Sequence, residues 1–346
     1  MGIERLSSTA TITLLLAITL SPCVAVSAAE FSLSAQLLFE GAVDASAAAD
    51  VGEGCFVGAT DDKNQLRVYD VKGGPALKTL DVRIEAAVTR ALGVEKVKQC
   101  DLKGAAKIGD LIFWIGSHGR NREAEEKRER QIFFATKLSG TGKDAKLEIA
   151  GKIYTKLLDD LVNDRALAPF DLGKAVTLAP KDDGALNIES LAADGDKLWI
   201  GFRNPKVRDK EALLVPLLNP TEIIQEGAHG KLGNPVTLKL GGSGVRDMVR
   251  WKEVFLIIAG DIDDRFEADA KPSRIFSWKP GTDPKDIGVD LGDLNPEAIV
   301  IMQGDKARIL ILSDDGKRPK GADHSDNSFR GVWLQASAPI GGGNGN

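Results

Sequence analysis

Five polar residues occupy one position of a sequence repeat, and four of the five are acidic. Each lies 12 to 16 residues before the small residue that ends an apolar run; they are Asp44, Lys103, Glu189, Asp247 and Glu297. We call these five residues the acidic column. Carboxylates that converge on one point suit a hard cation such as Ca²⁺. They could equally supply an acid and a base whose pKa values are separated by mutual repulsion.

More polar residues lie beside the acidic column and in the loops that follow the apolar runs. The predicted metal ligands, for Ca²⁺ in the first place, are Asp44, Asp61, Asp101, Glu189, Asp247 and Glu297. The predicted catalytic residues are Glu189, Asp247, Glu297, His118 and Arg203. The predicted ligand-binding residues are Arg120, Asn187, Asn204, Arg246, Asn295 and Asp314. Together these residues predict a polar funnel on one face of the molecule.

A purely structural interpretation of the same residues stays open. Aspartate and glutamate at the start of a strand can accept hydrogen bonds from nearby backbone N–H groups without any ligand. Lys103 could neutralise the acidic column from within, which would make an added cation unnecessary. His118 could be a general base or a ligand, although a single histidine in a loop is often neither.

The elements that must position these residues are five short apolar runs. Their ends lie 54 to 85 residues apart; the runs are Cys55–Gly58, Ile112–Gly116, Leu198–Gly201, Phe255–Ala259 and Ile309–Ser313. They are rich in β-branched and aromatic residues and are bounded by turn formers, which predicts buried strands. Weaker strands flank them, and repeated units of short strands predict a β-propeller.

We predict an all-β propeller of five blades with four strands each. Six blades are the alternative, because the longest interval between runs is 85 residues. That interval contains Tyr154–Asp164, whose leucines fall at helical spacing and predict a surface helix near residues 155–163. The segment Phe31–Phe39 predicts a strand that completes the last sheet beside Gly331–Ala336 and so closes the ring.

Composition is typical of a globular protein, with 43% hydrophobic and 27% charged residues. A formal net charge of −5 over 346 residues, with no basic stripe, argues against a nucleic-acid partner. Three cysteines are too few for a disulfide scaffold. Cys55 and Cys100 could form one disulfide or remain two buried thiols. We expect one propeller domain over residues 30–338, which is monomeric.

The N-terminus has the three parts of a signal peptide over residues 1–29. Arg5 precedes an apolar run, Ala10–Leu20, and small residues follow around Ala28. A lipoprotein anchored through Cys23 is the alternative, but Pro22 stands where a small residue is preferred. No later run is long enough to span a membrane. We therefore expect an exported protein, periplasmic or secreted, with a disordered tail over residues 339–346.

A set of short phrases occurs in order along the chain. They are Asp44–Ala48, Gly104–Asp110, Trp114–Asn121, Leu157–Asp160, Asn187–Ala192, Ile200–Pro205, Leu213–Pro220, Leu294–Ala298 and Leu312–Gly316. From about Phe39 to Leu334 the chain thus resembles a bacterial family known as domain of unknown function 3616. The resemblance implies a propeller-like fold, but it implies no activity, because the family has no assigned reaction. It also implies glutamate at the position of Lys103, so this chain departs from the family there.

Three functions fit these patterns. The first is a metal-assisted hydrolase, esterase-like or phosphatase-like, in which the cation polarises the scissile group or activates water. The second is a propeller that binds a small molecule, a glycan or a protein without catalysis, since propellers serve both purposes. The third is a glycan-cleaving enzyme that uses two carboxylates as acid and base.

Overall fold

Each apolar run of the repeat forms the second strand of an antiparallel sheet, and five such sheets are arranged in a ring. The computed structural model describes residues 1, 31–60, 63–207, 210–262, 271–303, 308–318 and 327–336. Within these residues the fold is a propeller of five four-stranded blades, the last of which carries two short extra strands. The prediction of five blades is confirmed, and the sixth blade is not present among the described residues.

The first two strands belong to the blade that closes the ring; they are β1 (Phe31–Leu33) and β2 (Leu37–Glu40). The first blade contains β3 (Ala47–Gly52), β4 (Cys55–Ala59), β5 (Leu66–Asp70) and, after a short β6 (Gly74–Pro75), β7 (Lys78–Leu80). Strand β6 pairs in parallel with β2. Helix α1 (Ile84–Leu92) leads to the second blade.

The second blade contains β8 (Leu102–Ile108), β9 (Leu111–Gly116), β10 (Phe133–Ser139) and β11 (Lys146–Tyr154). An insertion with α2 (Leu157–Asn163) and α3 (Leu172–Ala175) follows it. The third blade contains β12 (Asn187–Asp194), β13 (Lys197–Val207), β14 (Glu211–Leu217) and, after helix α4 (Pro220–Glu226), β15 (Val236–Leu238).

The fourth blade contains β16 (Gly244–Trp251), β17 (Val254–Gly260), β18 (Arg274–Trp278) and β19 (Lys285–Asp286). The fifth contains β20 (Pro296–Met302), β21 (Arg308–Ser313) and β22 (Ser328–Ala336), and its outer strand is β2. Successive strands of each blade lie progressively farther from the axis. The inner strands are therefore β3, β8, β12, β16 and β20.

The inner strands pack directly on one another around the axis, which requires small side chains at the closest approaches. A Cβ atom on Gly104 would lie 2.7 Å from the backbone N of Leu191 in the next blade. Glycine removes that atom, so β8 and β12 can approach more closely than two side chains would permit.

The hydrophobic core consists of five clusters of buried side chains, one between each pair of neighbouring blades. Between the fifth and first blades, Phe39 of β2 stacks on Phe329 with ring centroids 5.1 Å apart and meets Phe56 edge-on at 5.2 Å. The closing strand therefore supplies core side chains as well as backbone hydrogen bonds.

Closure of the ring through the N-terminal segment is confirmed. Leu37 pairs with Gly331 and Phe31 pairs with Ala336, both in antiparallel register with β22. The segment forms two short strands rather than one, because Ser34 interrupts it and hydrogen-bonds with Trp333.

The predicted surface helix near residues 155–163 is confirmed as α2, whose leucines pack on the second and third blades. Helices α1 and α4 were not predicted. Local signals for them exist, since Gly93 and Gly227 cap their C-termini in the left-handed conformation. Among the described residues no helix is long and apolar enough to cross a membrane.

Cys55 and Cys100 are both buried free thiols, which is the second of the two alternatives considered for them. Burial raises the pKa of the Cys100 thiol to about 12. Three sequence predictions fall outside the described residues: the signal peptide (apart from residue 1), the tail over residues 339–346 and the metal ligand Asp61.

Candidate functional site

Four of the five inner strands contain a β-bulge near their start, and each bulge presents a charged residue. The irregular pairings lie between residues 102 and 104, 188 and 190, 245 and 247, and 296 and 298. A bulge leaves one residue unpaired and turns its side chain in a new direction. We call the residues at these positions the bulge cluster: Lys103, Glu189, Arg246 and Glu297.

The bulge cluster corrects the alignment of the acidic column in the fourth blade. Lys103, Glu189 and Glu297 share one position of the repeat, as predicted, but Arg246 takes the place expected for Asp247. The cluster therefore holds two acids and two bases, all with relative exposures of 7% or less. Charges buried to this extent need partners.

Arg246 lies between the two glutamates. Its Nη1 donates to Oε1 of Glu297 at 2.6 Å and lies 3.9 Å from Oε2 of Glu189. Its Nη2 donates to Oδ1 of Asn295 at 3.4 Å. One guanidinium group thus joins the third, fourth and fifth blades.

Lys103 lies on the side of Glu297 away from Arg246, where it neutralises Glu297 and Asp101. Its Nζ is 3.9 Å from Oε2 of Glu297 and 3.8 Å from Oδ1 of Asp101. Asp101 accepts a hydrogen bond from Ser117 Oγ at 2.5 Å and lies 3.3 Å from Nη1 of Arg130. Lys103 therefore neutralises carboxylates of the site from within, which is one of the interpretations that the sequence left open.

Glu189 has three polar neighbours of its own. Asn187 Nδ2 donates to its Oε1 at 3.0 Å, and Nε of Arg203 lies 3.4 Å from the same oxygen. With Arg246 on its other oxygen, this carboxylate lies between two guanidinium groups. The predicted site residues Asn187, Glu189, Arg203, Arg246, Asn295 and Glu297 are thus brought together.

Asp247 has a different environment. Its carboxylate accepts hydrogen bonds from Met248 N at 2.8 Å, Ser190 Oγ at 3.1 Å and Ile299 N at 2.8 Å. It therefore connects inner strands β12, β16 and β20. Burial raises the pKa of Asp247 well above its ordinary value, against these three hydrogen bonds.

Asp44 belongs to the loop before β3. Strand β3 also contains an irregular pairing, but it lies at the far end of the strand, between Asp50 and Gly52. Asp44 Oδ2 accepts a hydrogen bond from Ser46 Oγ at 2.8 Å. Burial, helped by the charge of Asp44, raises the pKa of Tyr69 to about 12.

His118 is fully buried and has a positive φ of 54°. Its Nδ1 lies 2.9 Å from the carbonyl oxygen of Gly116, which fixes that nitrogen as the donor. Burial lowers the pKa of His118 to about 4, so the ring is neutral at pH 7. Nε2 is then an acceptor, and it has no hydrogen-bond partner among the described residues.

Three other predicted ligand-binding residues hold loops in place. Arg120 donates to the carbonyl oxygens of Val176 and Ala124, which fastens the insertion to the second blade. The remaining two, Asn204 and Asp314, make their contacts with the backbone of the loops around them. All three positions lie on the face where the inner strands begin.

Sequence reasoning missed two charged residues of this face. Arg130 lies beside Asp101, and Arg330 holds Asp315 through Nε at 2.9 Å and Nη2 at 2.8 Å. Neither arginine occupies a repeated position, so no local signal marks them. Both come from third strands or the loops before them.

Protein cations occupy the places between carboxylates where a metal ion would be expected. Arg246 lies between Glu189 and Glu297, and Lys103 lies between Glu297 and Asp101. Within the described ranges no group of three or more His, Cys, Asp or Glu side chains could hold a metal ion.

Residues 135–286 match the model of a family described as "Protein of unknown function (DUF3616)", which confirms the resemblance inferred from the sequence. The match extends from β10 to β19 and so covers the outer two strands of the second blade and all of the third and fourth blades. Among curated protein sequences none matches this chain.

Solved structures with a similar fold are distant in sequence. Glutaminyl cyclase from Myxococcus xanthus is 11% identical, with a TM-score of 0.46, and the alignment covers 90% of this chain and 98% of that one. The PQQ-bound aldose sugar dehydrogenase from Streptomyces coelicolor is 10% identical, with a TM-score of 0.46 and coverage of 89% and 99%. At this distance neither structure bears on the activity of the present chain.

Proposed function

We propose that this protein is an exported propeller that binds a small, hydroxyl-rich ligand such as a sugar beside the bulge cluster, without catalysing a reaction. Export rests on the signal-peptide pattern of residues 1–29. Cell fractionation tests it, and retention of the full-length protein in the cytoplasm would contradict it.

The observation that supports binding is a group of buried polar atoms without hydrogen-bond partners among the described residues. They are Oδ1 of Asn187 and Nε2 of His118; Nε of Arg203 also makes no hydrogen bond, although it lies 3.4 Å from Oε1 of Glu189 in an ion pair. The loop that carries His118 packs against the start of β12, where Ile188 N donates to the carbonyl oxygen of Ser117 at 2.9 Å. Buried polar atoms that lack partners are costly unless water or a ligand satisfies them.

The chemistry of these atoms matches hydroxyl groups. Asn187 Oδ1 and His118 Nε2 accept hydrogen bonds, whereas Arg203 Nε donates one, and a hydroxyl both donates and accepts. The strand that carries Arg203 continues to a cavity of about 290 Å³, which Pro205 and Lys206 line in part, although Asn187, Arg203 and His118 do not line it. Its volume suits a ligand of monosaccharide size.

A screen of mono- and disaccharides by thermal shift, followed by calorimetry, tests the proposal. We expect at least one sugar to raise Tm, since a ligand that binds only the folded state stabilises it. Asn187→Ala should weaken that sugar about tenfold, the effect of losing one hydrogen bond to a buried group. The matched control is Asn163→Ala at an exposed position of helix α2, which should bind normally. Equal affinities in the two variants would contradict the proposal.

The second candidate is the metal-assisted hydrolase with Ca²⁺. The observation that favours it is that Glu189 and Glu297 both lie within 4 Å of one guanidinium group, so the two carboxylates are close. Lys103→Glu would add a carboxylate beside Asp101 and Glu297. That variant should show a Ca²⁺-dependent rise in Tm and a gain in hydrolysis of ester or phosphate reporters. No response to Ca²⁺, Mg²⁺, Mn²⁺ or Zn²⁺ at millimolar excess would remove this candidate.

A further inference from the structure

A groove of about 790 Å³ lies between the fourth and fifth blades, at the ends of the inner strands opposite the bulge cluster. Buried side chains of Ile301, Ile309 and Leu334 form its floor. The groove shares Arg250, Ile301 and Gln303 with a cavity of about 240 Å³ on the propeller axis. It is a concave surface next to that cavity, and its volume is one that small ligands occupy.

Two half-buried tryptophans line this groove, and a cation lies over each of them. The guanidinium of Arg308 is 4.1 Å from the ring centroid of Trp333, and Nζ of Lys252 is 5.2 Å from the centroid of Trp251. Each stacked cation is attracted by the ring and keeps its N–H donors at the edge of the groove.

The charged residues that line the groove are all positive. Arg250, Lys252 and Arg308 line it, and none of the described lining residues is acidic. Arg250 is neutralised by Asp194 next to the groove. Lys252 and Arg308 thus leave two positive charges facing the space, which favours an anionic ligand.

The remaining polar residues are the amides of Gln303 and Gln335. An amide side chain offers both donors and an acceptor, which is what hydroxyl groups require. Because Arg308 and Lys252 already cover one face of each indole ring, the tryptophans hold these cations in place rather than offering an open face for a ligand. A ligand that satisfies both the positive charges and the amides carries a carboxylate and several hydroxyls.

We propose that this groove binds a sugar acid, either free or at the end of an acidic glycan. Its carboxylate pairs with Arg308 and Lys252, and its hydroxyls bond with Gln303 and Gln335. This site is separate from the bulge cluster and does not depend on the function proposed there.

Calorimetry with galacturonate and with its trisaccharide, against galactose and the matching neutral trisaccharide, tests the proposal. We expect the acidic sugars to bind and the neutral ones to bind at least tenfold more weakly, with affinity falling as salt is added. Arg308→Gln and Lys252→Gln should each weaken the acidic sugar about tenfold, the loss expected for one charge-assisted hydrogen bond. Equal affinity for monomer and trisaccharide would identify the free sugar acid as the ligand, and a preference for the trisaccharide would identify a glycan end.

The matched control is Arg274→Gln. Arg274 also stacks over an aromatic ring, that of Phe276 at 5.2 Å, but it pairs with Asp286 and does not line the groove. This variant should bind the acidic sugar as the unaltered protein does. Absence of binding by the unaltered protein, equal binding of acidic and neutral sugars, or equal losses in Arg274→Gln and Arg308→Gln would each overturn the proposal.

Discussion

Arg246 and Glu297 form an ion pair in which Nη1 and Oε1 are 2.6 Å apart, and the exposed fractions of the two side chains are only 1% and 4%. The free energy needed to remove two charges from water can exceed the attraction between them, so a buried ion pair is weak evidence for stability. Its position on two neighbouring β-bulges instead indicates that it fixes the geometry of the site.

Arg246→Met should be strongly destabilising, because it leaves two buried carboxylates without their shared cation. We expect the free energy of unfolding to fall by about 3–5 kcal/mol at pH 7, measured by chemical denaturation. The control is Arg83→Met, which breaks an exposed pair with Asp81 and should cost less than about 1 kcal/mol. Similar losses in both variants would show that the buried pair has no special role.

His118 should make stability depend on pH between about 4 and 6.5. Its pKa is lowered to about 4 in the folded protein, so in this range the unfolded chain binds a proton that the folded chain does not. Stability should therefore fall as the pH drops, by up to about 3 kcal/mol for this one group. Denaturation at a series of pH values measures the slope.

His118→Asn should remove that part of the slope, since asparagine tolerates the positive φ of 54° but does not titrate. His229→Asn is the control, because the side chain of His229 is 72% exposed and lies on another part of the molecule. An unchanged slope in His118→Asn would show that the histidine is not buried and neutral.

Phe39→Ala should destabilise the ring closure. Phe39 is fully buried and contacts the rings of Phe56, Tyr69 and Phe329. Deleting a buried aromatic ring costs about 3–5 kcal/mol. Leu38→Ala on the same strand, where the side chain is 40% exposed, should change stability by less than about 0.5 kcal/mol. Thermal or chemical denaturation distinguishes them, and equal effects would argue against closure through β2.

Cys55 and Cys100 should behave as unreactive thiols. Burial raises the pKa of both, which keeps them protonated and slow to react at pH 8. Peptide mapping after alkylation should find neither residue modified in the native protein and both modified in denaturant. A reductant should leave Tm unchanged, and a drop in Tm on reduction would indicate a disulfide after all.

The fold was predictable because its signals are local. Runs such as Ile112–Gly116 carry β-forming residues between turn formers, and Phe31–Phe39 has the pattern of a strand that lacks a blade of its own. The leucines of α2 likewise show helical spacing within one segment. These patterns depend on residues that are adjacent in the chain.

The site was predictable only in part. Residue spacing placed Lys103, Glu189 and Glu297 together, but it could not locate a bulge to within one residue, so Asp247 was aligned where Arg246 lies. A shift of one residue in a strand turns a different side chain toward the site. The contact between Arg130 and Asp101 joins loops of no repeated pattern and becomes visible only in three dimensions.

The way in which the ring closes also sets an order of events for the newly made chain. Ser34 and Trp333 are hydrogen-bonded although they are 299 residues apart in sequence. The first strands therefore emerge from the ribosome long before their partner β22 exists, and contacts this distant form slowly. Until β22 has been made, the edge of β2 that will pair with it stays open to pairing with other chains. Folding of this protein can thus finish only after its last strand has been made.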